Sequence, residues 1–478
     1  MNPYLSRCCT GERIASAGSD EAIGDTYLEP KEGTQHMATR LWTDCEGFHR
    51  RDFLKVGSAS LLGLSLPDVL RWETTAADPE TKKKAHSVIL VWLAGGPATI
   101  DMWDIKTEAP EDIRGEFKPI ETSAPGVYIS EHLPQTAKVI DKCTIVRSLN
   151  HTVAAHGPGT VYMTTGNRPT PALQYPSLGS LVARLLPTDK GVPPYVAFNN
   201  LRNGVAGLSG YLGTAYNPFE VEGGGGGKGQ NLSLRVRGVS LPGNFTLSDL
   251  DDRNKLLENF DSNFKALDNS ADLAAGLDKF HQQALDILRS DKTKKAFDLN
   301  LEPEAVRNRY GKEAFGQGAL AARRLVEAGV RFVTIGTGGW DTHQNNFKSL
   351  KDRLLPQLDV TLSALIQDLA DKGMLDSTIV YCAGEFGRTP KINKNTGRDH
   401  WARSMAALVA GGGFKQGCAH GTTDKDGMAP ATEPVSPDDL SATIFHRLGI
   451  DPHLEMTTGS GRPIQLFREG KVVEKLLA

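Results

Sequence analysis

The sequence predicts an α/β fold: a mostly parallel sheet flanked by helices on both faces, with an inserted cap region. Two observations carry this expectation. Three short apolar runs rich in β-branched residues occur at 87–93 (SVILVWL), 330–335 (VRFVTI) and 378–382 (TIVYC), each ending shortly before a glycine. Continuous apolar runs of this length read as strands buried on both faces, the parallel-sheet pattern. Segments of helical periodicity precede or separate the later runs, and strands alternating with helices build a layered α/β domain.

In chain order, residues 1–48 are polar and irregular, and read as a disordered extension. Next comes His49-Arg50-Arg51-Asp52-Phe53-Leu54-Lys55, followed by the mildly apolar run 56–66. A basic pair ahead of a short apolar stretch diluted with Gly and Ser reads as a twin-arginine export signal spanning 49–77. Small residues at Thr75-Ala76-Ala77 offer cleavage before Asp78. Export by this route places the mature protein in the periplasm or outside the cell.

The folded domain is expected over 85–478. After the strand at 87–93, the region 200–310 reads as an insertion or cap: it holds the glycine run 223–227 and then a charged, mostly helical stretch. No Lys-Ser/Thr follows the glycines, so a phosphate loop is disfavoured. Residues 317–328 form a helix closed by Gly329. Residues 349–372 form a longer one, kinked or split by Pro356 and stopped by Gly373. Ser436-Pro437-Asp438-Asp439 supplies an N-cap, a first-turn proline and early acids for a helix to about Leu448.

Composition narrows the function classes. Lys+Arg 54 against Asp+Glu 57 gives a formal charge of -3, which argues against a dedicated nucleic-acid binder. No apolar run reaches the roughly 18–20 residues of a spanning helix, so no stable membrane span is expected. The 6 cysteines show no Cys-x-x-Cys pair, which excludes a zinc ribbon or redox motif of that kind.

The chemistry-bearing residues sit where strands end, the edge at which open α/β sheets gather their sites. Asp101 follows the first strand in GGPATIDMWD. Asp341 and His343 follow the second in GTGGWDTHQNN. Glu385 follows the third in CAGEFGRTP, and Asp399 and His400 come soon after in TGRDHW. Carboxylate oxygens mixed with imidazole suit one or two divalent ions such as Zn, Mn or Mg better than an all-oxygen calcium cage. The alternative is a polar loop network without metal. Arg388 and Arg398 are near enough in sequence to bind an anionic group, or to salt-bridge one of these carboxylates. Trp340 and Trp401 flank the clusters, placed either to stack on a sugar ring or to pack.

These segments together resemble the DUF1501 branch of the metal-dependent alkaline phosphatase/sulfatase superfamily. The resemblance rests on RRDFLKVGSASLLGLSLPDVL, LAGGPATIDMWD, HGPGTVYMTTGNRP, GGWDTHQNN, GEFGRTP and GRDHW. It implies an alkaline-phosphatase-like core and a site formed by metal ligands Asp101, Asp341, His343, Glu385, Asp399 and His400. Sulfatases of the superfamily carry C-x-P-S-R with a Thr-Gly seven residues after the proline. Here His156-Gly157-Pro158-Gly159-Thr160 precedes Thr165-Gly166 with that spacing. His156 thus stands at the position of the cysteine that becomes formylglycine, and Thr160 at that of the arginine. Formylglycine chemistry is therefore not expected. His156, expected at a helix start, serves as ligand or general base, or merely caps the helix. Thr160 is the likeliest hydroxyl nucleophile if a covalent route operates, and His151 is a weaker ligand candidate.

Two functions follow. One is a secreted metal-dependent hydrolase of phosphate or sulfate esters, on a sulfated or phosphorylated glycan, using metal-activated water. The other is a catalytically degenerate secreted protein that binds a ligand through the same pocket.

Overall fold

The structure is a computed structural model that describes residues 85–198, 209–223, 234–236, 286–287 and 289–478. The expected extension at 1–48 and the export signal at 49–77 lie outside the described residues.

Nine strands form the central sheet. In chain order they are β1 (Ser87–Ala94), β2 (Cys143–Leu149), β3 (Tyr195–Phe198), β4 (Phe219–Gly223), β5 (Leu234–Val236), β6 (Phe332–Gly338), β7 (Thr378–Ala383), β8 (Met405–Ala410) and β9 (Cys418–His420). Their spatial order is β9-β2-β8-β7-β1-β6-β3-β4-β5. The sheet is parallel except where β8 runs opposite to β2 and β7, and where β5 pairs with β4.

Alternation along β1 shows why both faces are covered. Ile89, Val91 and Leu93 join one apolar cluster, while Val88, Leu90 and Trp92 join another. Successive side chains of a strand point to opposite faces, so an unbroken apolar run needs a layer on each side. The first face is covered by Ala314–Glu327 and Leu355–Asp371, which bring Leu320, Leu325, Leu358 and Leu362. The second is covered by Leu178–Leu185 and Pro437–Arg447, which bring Leu181, Val182, Ile444 and Phe445. With α1 at His156–Thr165, these helices are α2 (Leu178–Leu185), α3 (Ala314–Glu327), α4 (Leu355–Asp371) and α5 (Pro437–Arg447).

The signals at the helix ends work as their chemistry dictates. Ser436 accepts from Asp439 N–H and Asp439 reaches back to Ser436 N–H, a reciprocal cap for α5. The long helix expected around Pro356 is divided just before the proline: α-helical residues Asn346–Ser349 lead into a π-helical turn at Leu350–Leu354, and α4 follows. Pro356 can donate no N–H to the turn before it, and the wider π turn stands where that bond is missing. The region read as a cap contributes β4 and β5 to one edge of the sheet, so that part extends the core rather than covering it. Its stretch from 237 to 285 lies outside the described residues. Among the described residues Cys143, Cys382 and Cys418 are free thiols, and no helix is long and apolar enough to cross a membrane.

The register places the site. Trp92 of β1 lies beside Gly336 of β6 and Ala383 of β7 in parallel pairings, so all three strands end at one edge. Strand β2 runs the same way, being antiparallel to the antiparallel β8, and it delivers the segment from Asn150 to α1 at that edge. Strand β8 starts there, opposite Leu149, so the loop carrying Asp399 and His400 arrives at the same edge.

Candidate metal centre

Five loops converge at this edge. The first and second of the strand-end clusters approach closely. Gly95, with φ +120°, would carry a Cβ 2.5 Å from the Asp341 nitrogen, so only glycine fits. Similarly a Cβ on Gly397 would stand 2.0 Å from the His343 carbonyl oxygen, which explains how the 393–400 loop reaches His343.

His156 Nε2, Asp341 and His400 offer ligand atoms that all lie within 4.8 Å of one another. His156 Nε2 is 3.4 Å from Asp341 Oδ2, and His400 Nε2 is 3.2 Å from Asp341 Oδ1. His343 Nε2 joins at 3.1 Å from Asp341 Oδ1 and 2.9 Å from His400 Nε2. The Asp341 side chain is 44% exposed and that of His343 42%, so the cluster opens to solvent.

The second nitrogen of each imidazole fixes its tautomer. His400 Nδ1 lies 3.0 Å from the Ala154 carbonyl, which can only accept, so Nδ1–H donates and Nε2 is bare. His343 Nδ1 lies 2.6 Å from Asp399 Oδ1. That hydrogen bond, above all, holds the Asp399 carboxyl below its ordinary value, so it too accepts. His156 Nδ1 lies 2.7 Å from Glu385 Oε1. All three imidazoles thus engage an acceptor through Nδ1 and turn Nε2 toward Asp341. His343 Nε2 and His400 Nε2 approach to 2.9 Å, so at most one of the two carries a proton. Ring nitrogens and a carboxylate gathered this closely form a donor set that a cation can occupy. The donor set fits a divalent transition ion of the Zn type, whose imidazole ligands each donate the other ring N–H to a carboxylate or carbonyl.

Burial raises Asp341, but the Arg388 guanidinium beside it more than offsets this and keeps the carboxyl below its ordinary value. His400 is lowered, chiefly by burial, which favours the neutral ring a metal requires.

Several expected site residues stand elsewhere. Asp101 is not a ligand here. Arg398 Nε and Nη2 donate to its two oxygens at 2.7 Å each, and Asn346 donates to Oδ2 at 2.8 Å. Both members of that pair are fully buried, so Arg398 does not face a substrate either. The Arg388 side chain is equally buried, beneath Asp341, and donates to Asp341 Oδ1 and to the carbonyls of Gly95, Gly96 and Arg398. It supports the cluster instead of contacting an anion. Thr160 is the fifth residue of α1, and its hydroxyl donates 2.7 Å back to the His156 carbonyl, as helical Ser and Thr commonly do. Asp399 and Glu385 hold ring nitrogens in place of a metal. His151 is spent on structure: Val153 N–H donates to Nδ1, and Nε2–H donates 2.8 Å to the Glu385 carbonyl. Trp340 is buried in the core, while Trp401 is half-buried and donates through Nε1 to the Met428 carbonyl.

Sequence reasoning missed the backbone partners, Gly95 N–H and Ala154 O, and the amide of Asn393, which donates to Asp399 Oδ1 at 3.2 Å. The first two carry no side-chain signal. Asn393 had one, six residues before Asp399 in a Gly/Asn-rich turn.

Fold and site together define an α/β protein with an open histidine–carboxylate cluster at the carboxyl edge of its parallel strands. The profile of the family described as "Protein of unknown function (DUF1501)" matches residues 85–477, and the chain belongs to that family. Among curated proteins none matches the sequence. Solved structures similar to the chain include the PsFucS1 sulfatase from Pseudoalteromonas sp., at 12% identity and TM-score 0.38, covering 90% of this chain and 76% of that one. The lipoteichoic acid synthase LtaP from Listeria monocytogenes is similar at 11% identity and TM-score 0.32, covering 78% and 75%. The phosphonate monoester hydrolase SpPMH from Silicibacter pomeroyi is similar at 10% identity and TM-score 0.29, covering 82% and 76%.

Proposed function

We propose that the protein is a secreted metal-dependent hydrolase of phosphate or sulfate esters, with sulfated or phosphorylated glycans as the substrate class. The observation that carries the metal centre is the set of three imidazoles with committed Nδ1–H groups and Nε2 atoms turned toward Asp341. His156, His343, His400 and Asp341 are the residues that would hold the ion. A divalent ion bound there supplies Lewis-acid stabilisation of developing negative charge and a nucleophile from water at neutral pH.

The chain's own residues do the rest. Arg388 fixes the Asp341 carboxylate from below. The amino end of the ten-residue α1, which begins at His156, presents a positive dipole end that favours an anionic ester. The Thr160 hydroxyl is committed to the helix backbone, so the reading requires no covalent ester on the protein. Solvent exposure of Asp341 and His343 leaves room for a large alcohol portion.

The test is a panel of phosphate and sulfate esters offered to the Zn2+- and Mn2+-loaded full chain. Turnover without a burst, lost in His400→Ala, is expected. Stoichiometric metal with no turnover on any ester would instead favour the binding protein. Export rests on Arg50-Arg51-Asp52-Phe53-Leu54-Lys55. Replacing both arginines by lysine should leave the protein in the cytoplasm, and unchanged export of that variant would overturn the localisation.

A further inference from the structure

Glu385 is the most conspicuous buried acid next to the cluster. Its side chain is 2% exposed. Oε1 accepts from Gly95 N–H at 2.9 Å and from His156 Nδ1 at 2.7 Å. Oε2 is buried and has no hydrogen-bond partner. Its backbone carbonyl accepts from His151, so the segment from His151 to His156 docks on this one residue twice.

A buried carboxylate oxygen without a donor is unfavourable by several kcal/mol unless positive charge stands nearby. Arg388 lies close enough to interact electrostatically, but its donors go to Asp341 and three carbonyls. The carboxylate thus has two donors on Oε1 and none on Oε2, and Arg388 does not pair with it directly. Its outlet is the His156 ring, whose far nitrogen faces the cluster.

We propose that Glu385 is a positioning residue and not a metal ligand. It locks His156 in the Nδ1–H tautomer and raises the donor strength of Nε2, and its own burial becomes favourable once a cation occupies the cluster. This rests on the metal centre read above and adds a sign to it. Glu385 weakens the metal-free fold and strengthens metal binding, whereas a residue with a purely structural role strengthens the fold.

The experiment uses the full chain, Zn2+ alone as probe, and a chromophoric chelator as competitor. Glu385→Gln preserves shape and an acceptor oxygen but removes the charge. It should bind Zn2+ roughly 10- to 100-fold more weakly, the usual loss for an outer partner of a ligand histidine. The metal-free variant should melt no lower than metal-free native protein. In a His156→Ala background the same substitution should cause no further loss of affinity. An equal loss in that background means that Glu385 touches the metal itself, and unchanged affinity in the native background means that it does not act on His156. Either result overturns the proposal. The tautomer is read separately, from imidazole 15N shifts of metal-free native protein at pH 8. Nδ1-protonated His156 is expected, and an Nε2-protonated ring contradicts it. If native protein binds no Zn2+, the metal reading fails, while the spectrum still decides the role of Glu385.

Discussion

Asp101 and Asp341 look alike in sequence and differ in what they meet. Each follows a buried strand and a pair of glycines, and each carries an arginine on its carboxylate. At Asp101 the arginine is planar and bidentate, Asn346 takes a further lone pair, and the pair is sealed from water. At Asp341 one guanidinium nitrogen takes part of one oxygen, and the other oxygen faces His156 across a solvent-open cluster. The number of lone pairs left over separates a structural carboxylate from one that can bind a ligand.

Breaking the buried pair should have the largest effect. Arg398→Ala leaves Asp101 charged and enclosed, a loss of about 3–5 kcal/mol by urea unfolding. A loss below about 1 kcal/mol would mean that the pair is not sealed in solution.

His151 tests the same contrast through pH. Burial pushes its ring down to about 4 from 6.5. A depressed histidine is neutral in the folded state, so its contribution is fully present above pH 6.5 and is lost as pH falls toward 4. The shift is worth on the order of 3 kcal/mol. The acid limb of stability between these values should flatten in His151→Gln. An identical limb in both proteins would show that the ring is not held neutral.

A smaller change is expected at the open carboxylate. Asp341→Asn keeps an oxygen for Arg388, so metal-free stability should fall by about 1–2 kcal/mol, while Zn2+ retention is abolished. The smallest effect belongs to Thr160→Val, about 0.5–1 kcal/mol for one side-chain hydrogen bond to its own helix, with Zn2+ affinity unchanged. A Thr160→Val protein that lost ester turnover at full metal content would restore the hydroxyl to the chemistry.

The sequence made some of this legible. The strands at 87–93 and 378–382 and the helix at the Ser436 cap were readable because continuous apolar runs and a Ser-Pro-Asp-Asp start have few other solutions. The strand expected at 330–335 begins at Phe332 and runs on to Gly338, since glycines can continue a strand as well as end it. The antiparallel β8, between β2 and β7, carries no local signal of its direction. Asp341, His343 and His400 were legible as acid and imidazole at strand ends. The pairing of Arg398 with Asp101 was not, because it joins residues 297 positions apart and the choice between pairing and catalysis depends on burial. His151 and His156 both looked like ligands, and only the partner of each second ring nitrogen separates them.

The central claim is that the His156–Asp341–His343–His400 cluster, and not Asp101, binds a metal ion. X-ray absorption on the Zn2+-loaded full chain tests it most directly. The account predicts histidine nitrogen at about 2.0–2.1 Å in native protein, a signal retained in Asp101→Asn and lost in His400→Ala. A chain that holds no Zn2+ after dialysis, or one that loses it in Asp101→Asn while His400→Ala keeps it, would contradict the account.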